Sequence, residues 1–158
     1  KRYSGCGITM VNNEEKDLII NEDSNLENSC INKALNEWKA YQLVTKEILD
    51  ESDYQTIKGR KFKKKSAWRK YARAFNISTE IIKEDIMKTD KNRVIEANFI
   101  VRATLPSNRF ADGWGNCSRG EGGKAHPNHD IPATACTRAT NRAIADLIGA
   151  GEVSADEL

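Results

Sequence analysis

The stretch that decides the fold is RVIEANFIVRATLPSNRFADGWGNCS, residues 93–118. Over residues 93–105, apolar and polar side chains alternate, with Val94 and Ile100 as exceptions, which is typical of a strand that buries one face in an antiparallel sheet. The predicted core face of this strand carries Ile95, Ala97, Phe99, Val101, Ala103 and Leu105. Turn residues follow at 106–108. Residues 110–118 are therefore predicted to return as a second antiparallel strand.

The end of the hairpin and the segments after it predict a close contact or a bulge, a polar loop and a further helix. Gly113 and Gly115 in the returning strand indicate a bulge or the close approach of another backbone. Residues 119–132 are predicted as a long polar loop. Pro132 is predicted to open a helix that ends before Gly149. This helix is rich in alanine, so it can lie close against a sheet or a neighbouring subunit.

The segments before the hairpin complete the predicted fold class, which is α+β. Residues 80–88, EIIKEDIMK, are compatible with a helix or a strand, and residues 80–118 as a whole predict an antiparallel three-stranded β-meander packed with helices. An N-terminal helix is predicted over residues 26–50, where apolar side chains recur every three or four positions. Residues 1–25 lack periodicity and predict an irregular N-terminal arm. Residues 26–158 are then one domain.

Composition excludes several classes of protein. The chain has 158 residues, of which 39% are hydrophobic and 30% charged, as in ordinary globular domains. No apolar run approaches the roughly 18 residues of a membrane span, so no membrane partner is predicted. The four cysteines are scattered, which favours reduced thiols and a cytoplasmic location. The spacing of Cys117, His126, His129 and Cys136 matches no common zinc site, and we predict neither a metal nor a cofactor.

A concentrated positive charge marks the segment KGRKFKKKSAWRKYAR, residues 58–73, which we call the basic segment. Nine of its residues are Lys or Arg, whereas the rest of the chain carries 16 basic and 23 acidic side chains, a net −7. Such a segment predicts an anionic partner, and interleaved aromatic residues favour single-stranded nucleic acid. Residues 54–65 are predicted to be extended or looped, with a turn at Gly59. A helix is predicted over residues 67–75, capped by Ser66.

Within that helix, Trp68, Tyr71, Ala72 and Phe75 form an apolar stripe, so Trp68 and Tyr71 are predicted to lie in the core and Phe62 is the freer aromatic. Later in the chain, Arg138 and Arg142 are one helical turn apart. This pattern is equally compatible with carboxylate pairing and phosphate binding. The predicted nucleic-acid-binding residues are Lys58, Arg60, Lys61, Lys63, Lys64, Lys65, Arg69, Lys70, Arg73, Arg138 and Arg142.

Three segments carry a resemblance to a known family. They are GRKFKKKSAWRKYARAFNIS (59–78), the hairpin of residues 93–118 and TRATNRAIADLIG (137–149). In this order they resemble the core of the Rad fifty-two superfamily of single-strand annealing proteins, including its phage Sak-like and archaeal mobile-element types. Arg69 with Phe75-Asn76, Asp112-Gly113-Trp114-Gly115, and Arg142-Ala143-Ile144 before Gly149 are similar to the family's pattern. The resemblance covers about residues 54–149.

The resemblance implies a protein that binds single-stranded DNA and anneals complementary strands during homologous recombination and DNA repair. It implies a homo-oligomer, a ring or a helical filament, with the DNA backbone held in a basic groove. Annealing makes and breaks no covalent bond, so no catalytic residue is expected and the protein is not predicted to be an enzyme. The sequence has no Walker motif, so no ATP requirement is expected.

Three other functions remain compatible with the residues. A metal-dependent nuclease would need a carboxylate cluster, for which Glu84, Asp85, Asp112 and Glu121 are the available side chains. A double-stranded RNA-binding module has the element order helix, three strands, helix, which the middle of this chain also predicts. A structural subunit without nucleic acid would place Arg69, Arg138 and Arg142 in salt bridges with Asp or Glu.

Overall fold

The computed structural model describes residues 13–121, 125–150 and 154, with side chains from Leu26 onward. Its elements in chain order are helix α1 (Asn13–Ile48), strands β1 (Tyr54–Ile57) and β2 (Arg60–Lys63), helix α2 (Lys65–Ala74), strands β3 (Ser78–Lys88), β4 (Val94–Thr104) and β5 (Phe110–Ser118), and helix α3 (Pro127–Ile148). The chain divides into two units, residues 1–40 and 41–158. None of the helices described has the length and apolar character needed to cross a membrane.

Helix α1 begins much earlier than the sequence predicts. It is helical from Asn13, so the irregular conformation expected for residues 1–25 is wrong over residues 13–25, while residues 1–12 lie outside the described residues. Its first turns are rich in Glu, a good helix former that also interacts favourably with the positive end of the helix dipole. The apolar residues 18–20 are consecutive, so they produce no spacing of three or four by which periodicity could reveal the helix.

Strands β3, β4 and β5 form an antiparallel meander in that order, and α3 packs on β4 and β5. This arrangement confirms the predicted α+β fold with an N-terminal helix and a three-stranded meander. Residues 80–88, compatible with either helix or strand by sequence, lie in β3 because their backbone pairs with β4. Only Ile86 of β3 is partly buried, and the rest of the strand is exposed.

The core face of β4 follows the predicted alternation except at its start. Ala97, Phe99, Val101 and Ala103 are buried, but Ile95 is 39% exposed and Val94 is buried instead. The reason is a β-bulge: Met87 pairs with Glu96 and Lys88 pairs with Val94, which leaves Ile95 as an extra residue. An extra residue reverses the alternation before it, so Val94 takes the core position.

Helix α3 begins at Pro127, five positions before the predicted start at Pro132, which lies inside the helix. The polar loop predicted over residues 119–132 is therefore shorter. Proline suits the first helical position because it lacks an N–H that would have no partner there. The Asp130 side chain accepts the His126 backbone N–H over 2.8 Å, which supports this early start. The predicted end is confirmed, with Gly149 in the left-handed conformation at φ 70°.

Gly113 and Gly115 allow α3 to lie directly on β5. A Cβ atom added at Gly115 would lie 3.0 Å from the Cα of Ala139, and even closer to the Ala135 carbonyl oxygen. The side chains that α3 presents here are themselves small, since Ala135, Ala139 and Ala143 are fully buried. Of the two alternatives that these glycines indicate by sequence, a bulge or a close backbone approach, the close approach is therefore confirmed.

The basic segment folds into the β1–β2 hairpin and α2. Lys58 and Gly59 form the hairpin turn with φ values of 50° and 78°, which match the twist of the flanking strands. This confirms the extended alternative of the prediction, with its turn at Gly59. Helix α2 begins at Lys65, and Ser66 is not its cap as predicted, because the Ser66 hydroxyl donates to the Asp53 carboxylate instead.

Candidate nucleic-acid interface

The apolar side of α2 anchors the basic segment to the core. Trp68 and Tyr71 are fully buried, as the apolar stripe predicts. The Tyr71 hydroxyl lies 2.7 Å from Thr45 Oγ1, and its ring stacks on that of Tyr41 with centroids 5.4 Å apart. Burial raises the pKa of Tyr71 above its ordinary value. These two rings therefore cannot stack on bases, whereas Phe62 on β2 is only partly buried.

Lys63 lies inside the fold rather than on the basic surface that the sequence predicts for it. It is 5% exposed, and its ammonium group lies 5.9 Å from the ring centroids of both Tyr54 and Tyr71. Its Nζ is 3.5 Å from the Tyr41 hydroxyl. Cation–π contact with tyrosine rings provides favourable electrostatics for a desolvated ammonium. Lys63 therefore does not face a ligand.

Lys70 also has partners inside the protein. Its Nζ forms ion pairs with Asp50, 3.0 Å away, and with Asp53, whose side chain is only 1% exposed. Burial opposes the charged form of Asp53, but hydrogen bonds from Lys70 and Ser66 outweigh it and lower the Asp53 pKa. Hydrogen bonds from Ser52 and then Lys70 lower the pKa of Asp50 to about 2. The hydrogen bonds to Asp53 and Asp50 raise the pKa of Lys70, so the cluster is ionised at neutral pH.

Two further cations of the basic segment have partners but stay at the surface. Lys61 Nζ lies 2.8 Å from a Glu51 carboxylate oxygen, and Lys65 Nζ donates to Thr137 Oγ1 over 2.8 Å. Both lysines are exposed. Exposed ion pairs contribute little free energy, so either lysine can exchange its partner for a phosphate.

The remaining five cations of the basic segment are available to a ligand. This group comprises Lys58, Arg60, Lys64, Arg69 and Arg73. None of their side chains forms an ion pair or a hydrogen bond with another described side chain. Lys64 is partly buried and the others are exposed. Arg69 and Arg73 lie one turn apart on α2, opposite its buried stripe. At these cations of α2 and of the β1–β2 hairpin, a phosphate would not have to displace a side-chain partner among the described residues.

Arg138 and Arg142 cover the free edge of β5. Arg138 donates to the Asn116 carbonyl over 2.7 Å and forms an ion pair with Glu121 at 2.8 Å. Arg142 donates to the Trp114 carbonyl over 2.7 Å, and its guanidinium lies 5.7 Å from the centroid of that ring. By sequence, the spacing of the two arginines is compatible with pairing to carboxylates or with binding phosphate. In the structure, Arg138 pairs with the Glu121 carboxylate. In this structure both arginines satisfy backbone groups of an edge strand.

The sheet face opposite α3 carries exposed side chains that sequence reasoning did not single out. Phe110 and Trp114 are each 54% exposed, and the Arg102 guanidinium lies 4.0 Å from the centroid of the Phe110 ring. A signal was present: small residues occupy alternate positions 111, 113, 115 and 117, which marks the large ones between them as outward. The charged side chains on this face are Glu80, Asp85, Glu96 and Asp112 against Lys83 and Arg102. This excess of acid disfavours phosphate binding here.

The cysteines and histidines considered for a metal do not come together in the part of the chain that the structure describes. Cys117 is buried, Cys136 is partly buried, and His126 and His129 are exposed. No group of three or more His, Cys, Asp or Glu side chains there is arranged to hold a metal ion. The His129 ring nitrogen instead lies 3.2 Å from the Asp130 carboxylate, whose pKa is lowered by the His126 backbone N–H and then by His129.

Comparison with known proteins assigns no family, because neither the protein-family models nor the curated proteins include a match to this sequence. The resemblance to single-strand annealing proteins therefore stays a prediction.

Proposed function

We propose that this protein binds single-stranded DNA and anneals complementary strands without ATP, acting in homologous recombination and DNA repair as a homo-oligomer. The observation that carries the proposal is the group of five cations in the basic segment, Lys58, Arg60, Lys64, Arg69 and Arg73, that have no side-chain partner among the described residues. Elsewhere the chain has a net charge of −7, so this positive charge is local. An anionic polymer is the partner for such a surface.

The arrangement suits binding to the backbone of a strand. Arg and Lys neutralise phosphates and release counterions, which provides affinity without sequence preference. Because Trp68 and Tyr71 are buried, aromatic stacking from this segment is limited to Phe62. Bases that are not held by stacking remain free to pair with a complementary strand, and annealing requires that freedom. Lys61 and Lys65 can add to the contact when they exchange their present partners.

Double-stranded RNA is the second candidate ligand, because the observed order of elements favours it. Helix α2, strands β3 to β5 and helix α3 follow one another in the order of a double-stranded RNA-binding module, and α2 contacts α3. Such modules recognise the shape of the duplex through phosphate and 2′-hydroxyl contacts. With this function the protein would bind RNA duplexes but would not speed annealing.

A titration separates the two candidates. A labelled single-stranded oligonucleotide is titrated with protein at two salt concentrations without nucleotide, and the complementary strand is then added. We expect salt-sensitive binding and faster duplex formation. Unlabelled single-stranded DNA should compete better than duplex RNA of equal length. Binding without faster annealing, with duplex RNA as the better competitor, would support the RNA-binding module. The absence of binding to either would contradict both.

A further inference from the structure

The meander has two edge strands, and only one of them is covered in the described part of the chain. Arg138 and Arg142 donate to the carbonyl groups of Asn116 and Trp114 at the edge of β5. No described strand or side chain pairs with the outer edge of β3, which runs for 11 residues. A long edge strand exposes backbone donors and acceptors that can pair with another strand. In the described part of the chain, the open edge at which the sheet can extend is therefore that of β3.

Strand β3 also exposes apolar side chains that a partner strand could cover. Ile81, Ile82 and Met87 are 50%, 46% and 52% exposed. Three consecutive charged residues, Lys83, Glu84 and Asp85, lie between these apolar positions. Charges in mid-strand oppose indiscriminate pairing with other edges. They permit pairing only with a strand of complementary charge pattern.

The sequence of β3 is complementary to itself when it is reversed. In an antiparallel pair of two β3 strands centred on Glu84, Lys83 of each copy lies opposite Asp85 of the other. Ile82 is the extra residue of a β-bulge, since Ile81 pairs with Val101 and Lys83 with Ile100, so the regular part of the strand begins at Lys83. Lys83 and Asp85 are on the same sheet face, because their β4 neighbours Ile100 and Asn98 both face away from α3. Opposite charges directly across an antiparallel pair are stabilising. Two-fold symmetry makes this favourable pair occur twice.

Neighbouring registers lose this complementarity. Moving the centre to Lys83 places Lys83 against itself, and moving it to Asp85 places Asp85 against itself and Glu84 against Ile86. In the register centred on Glu84, the one like-charged pair is Glu84 with its own copy. The charge pattern therefore selects one register as well as one partner.

We propose that a second copy of this chain pairs with β3 edge to edge, antiparallel and centred on Glu84, to form a continuous sheet across two subunits. This deepens the assembly part of the proposed function, on which it rests, by naming one subunit interface, a two-fold contact that joins subunits in pairs. Its test contains no nucleic acid, so its failure is distinguishable from a failure of DNA binding.

Charge reversal tests this pairing in trans. Lys83→Asp places two acids opposite each other at each contact, and Asp85→Lys places two lysines there, so each variant alone should associate about tenfold more weakly than the parent. In a mixed pair, one chain carries acids at both positions and the other carries lysines at both. Both contacts then join opposite charges, so association of the mixture should return to near the parental strength. Sedimentation velocity at a series of protein concentrations measures this.

A matched control is Lys91→Asp in the exposed β3–β4 turn, which should associate like the parent. Circular dichroism first verifies that each variant is folded, as expected for exposed side chains. Three outcomes would overturn the proposal. They are a monomeric parent over the whole concentration series, single variants that associate as strongly as the parent, and a mixture that associates no better than its components.

Discussion

At the scale of single residues, Asp53 connects the segment after α1 to the basic segment. Its buried carboxylate accepts hydrogen bonds from Lys70, Ser66 and the Asp50 backbone N–H, the last over 3.0 Å. A buried charge is stable only when it is paired and hydrogen-bonded. Lys70, which the sequence assigns to nucleic-acid binding, therefore has a structural role, because it fixes α2 to the segment that contains Asp53.

This cluster predicts a loss of stability in acid. The pKa values of Asp50 and Asp53 are lowered from 3.8 in the folded state, so the stabilisation is present above pH 3.8 and is lost as the pH falls through the folded values, which for Asp50 is about 2. The melting temperature of the parent should fall steeply across this interval. Lys70→Met should have a lower melting temperature at pH 7. Its melting temperature should also fall less steeply as the pH is lowered, because Asp50 keeps only its hydrogen bonds with Ser52.

Thermal unfolding followed by circular dichroism at several pH values measures this effect. Lys91→Met is the control, since Lys91 is exposed and has no side-chain partner among the described residues. Equal pH dependence in Lys70→Met and the parent would show that the ion pairs contribute nothing.

The second residue-scale prediction concerns the contact between β5 and α3. Gly115→Ala should lower the free energy of unfolding by about 3 kcal/mol, because the new methyl group meets backbone atoms of Ala135 and Ala139 that cannot move independently. Gly120→Ala is the matched control: the nearest atom to its added Cβ is the Ser118 hydroxyl oxygen at 3.7 Å, so its effect should stay within about 0.5 kcal/mol. Urea denaturation of both variants measures the difference. Equal stabilities would contradict the close packing.

At the scale of elements, the sequence predicts the helices and strands whose apolar periodicity comes from burial, and the turn and helix end that contain a glycine. The meander, the hairpin turn at Gly59, the apolar stripe of α2 and the end of α3 at Gly149 are all confirmed. The misplaced boundaries have physical reasons. Pro127 and Pro132 are both acceptable helix openers by composition, and the bond from the His126 backbone N–H to Asp130 favours the earlier one. The bulge at Ile95 depends on pairing with β3, which β4 alone does not encode.

The candidate site was predictable as a charged segment but not as a list of contacts. Nine cations are visible in the sequence, yet their partners are far away in the chain, such as Thr137 for Lys65 and Tyr41 for Lys63. Only tertiary structure brings these groups together. The same holds for Arg138 and Arg142, whose acceptors include carbonyl groups of β5.

At the scale of the whole molecule, charge and assembly are assigned to different surfaces. The basic segment occupies the β1–β2 hairpin and α2, whereas the sheet face opposite α3 has an excess of acid and the open edge lies at β3. Pairing at β3 would therefore leave the basic segment uninvolved in the subunit contact.

The proposal that the basic segment binds single-stranded DNA is tested most directly by the salt dependence of that binding. Each cation that contacts a phosphate of a single strand contributes about 0.7 to the slope of log K against log salt concentration. The double variant Arg69→Ala/Arg73→Ala should therefore bind more weakly, with a slope smaller by about 1.4. The double variant Lys91→Ala/Arg93→Ala removes two exposed cations outside the basic segment and should keep the parental slope. A parental slope after loss of Arg69 and Arg73 would contradict the assignment of the basic segment to DNA.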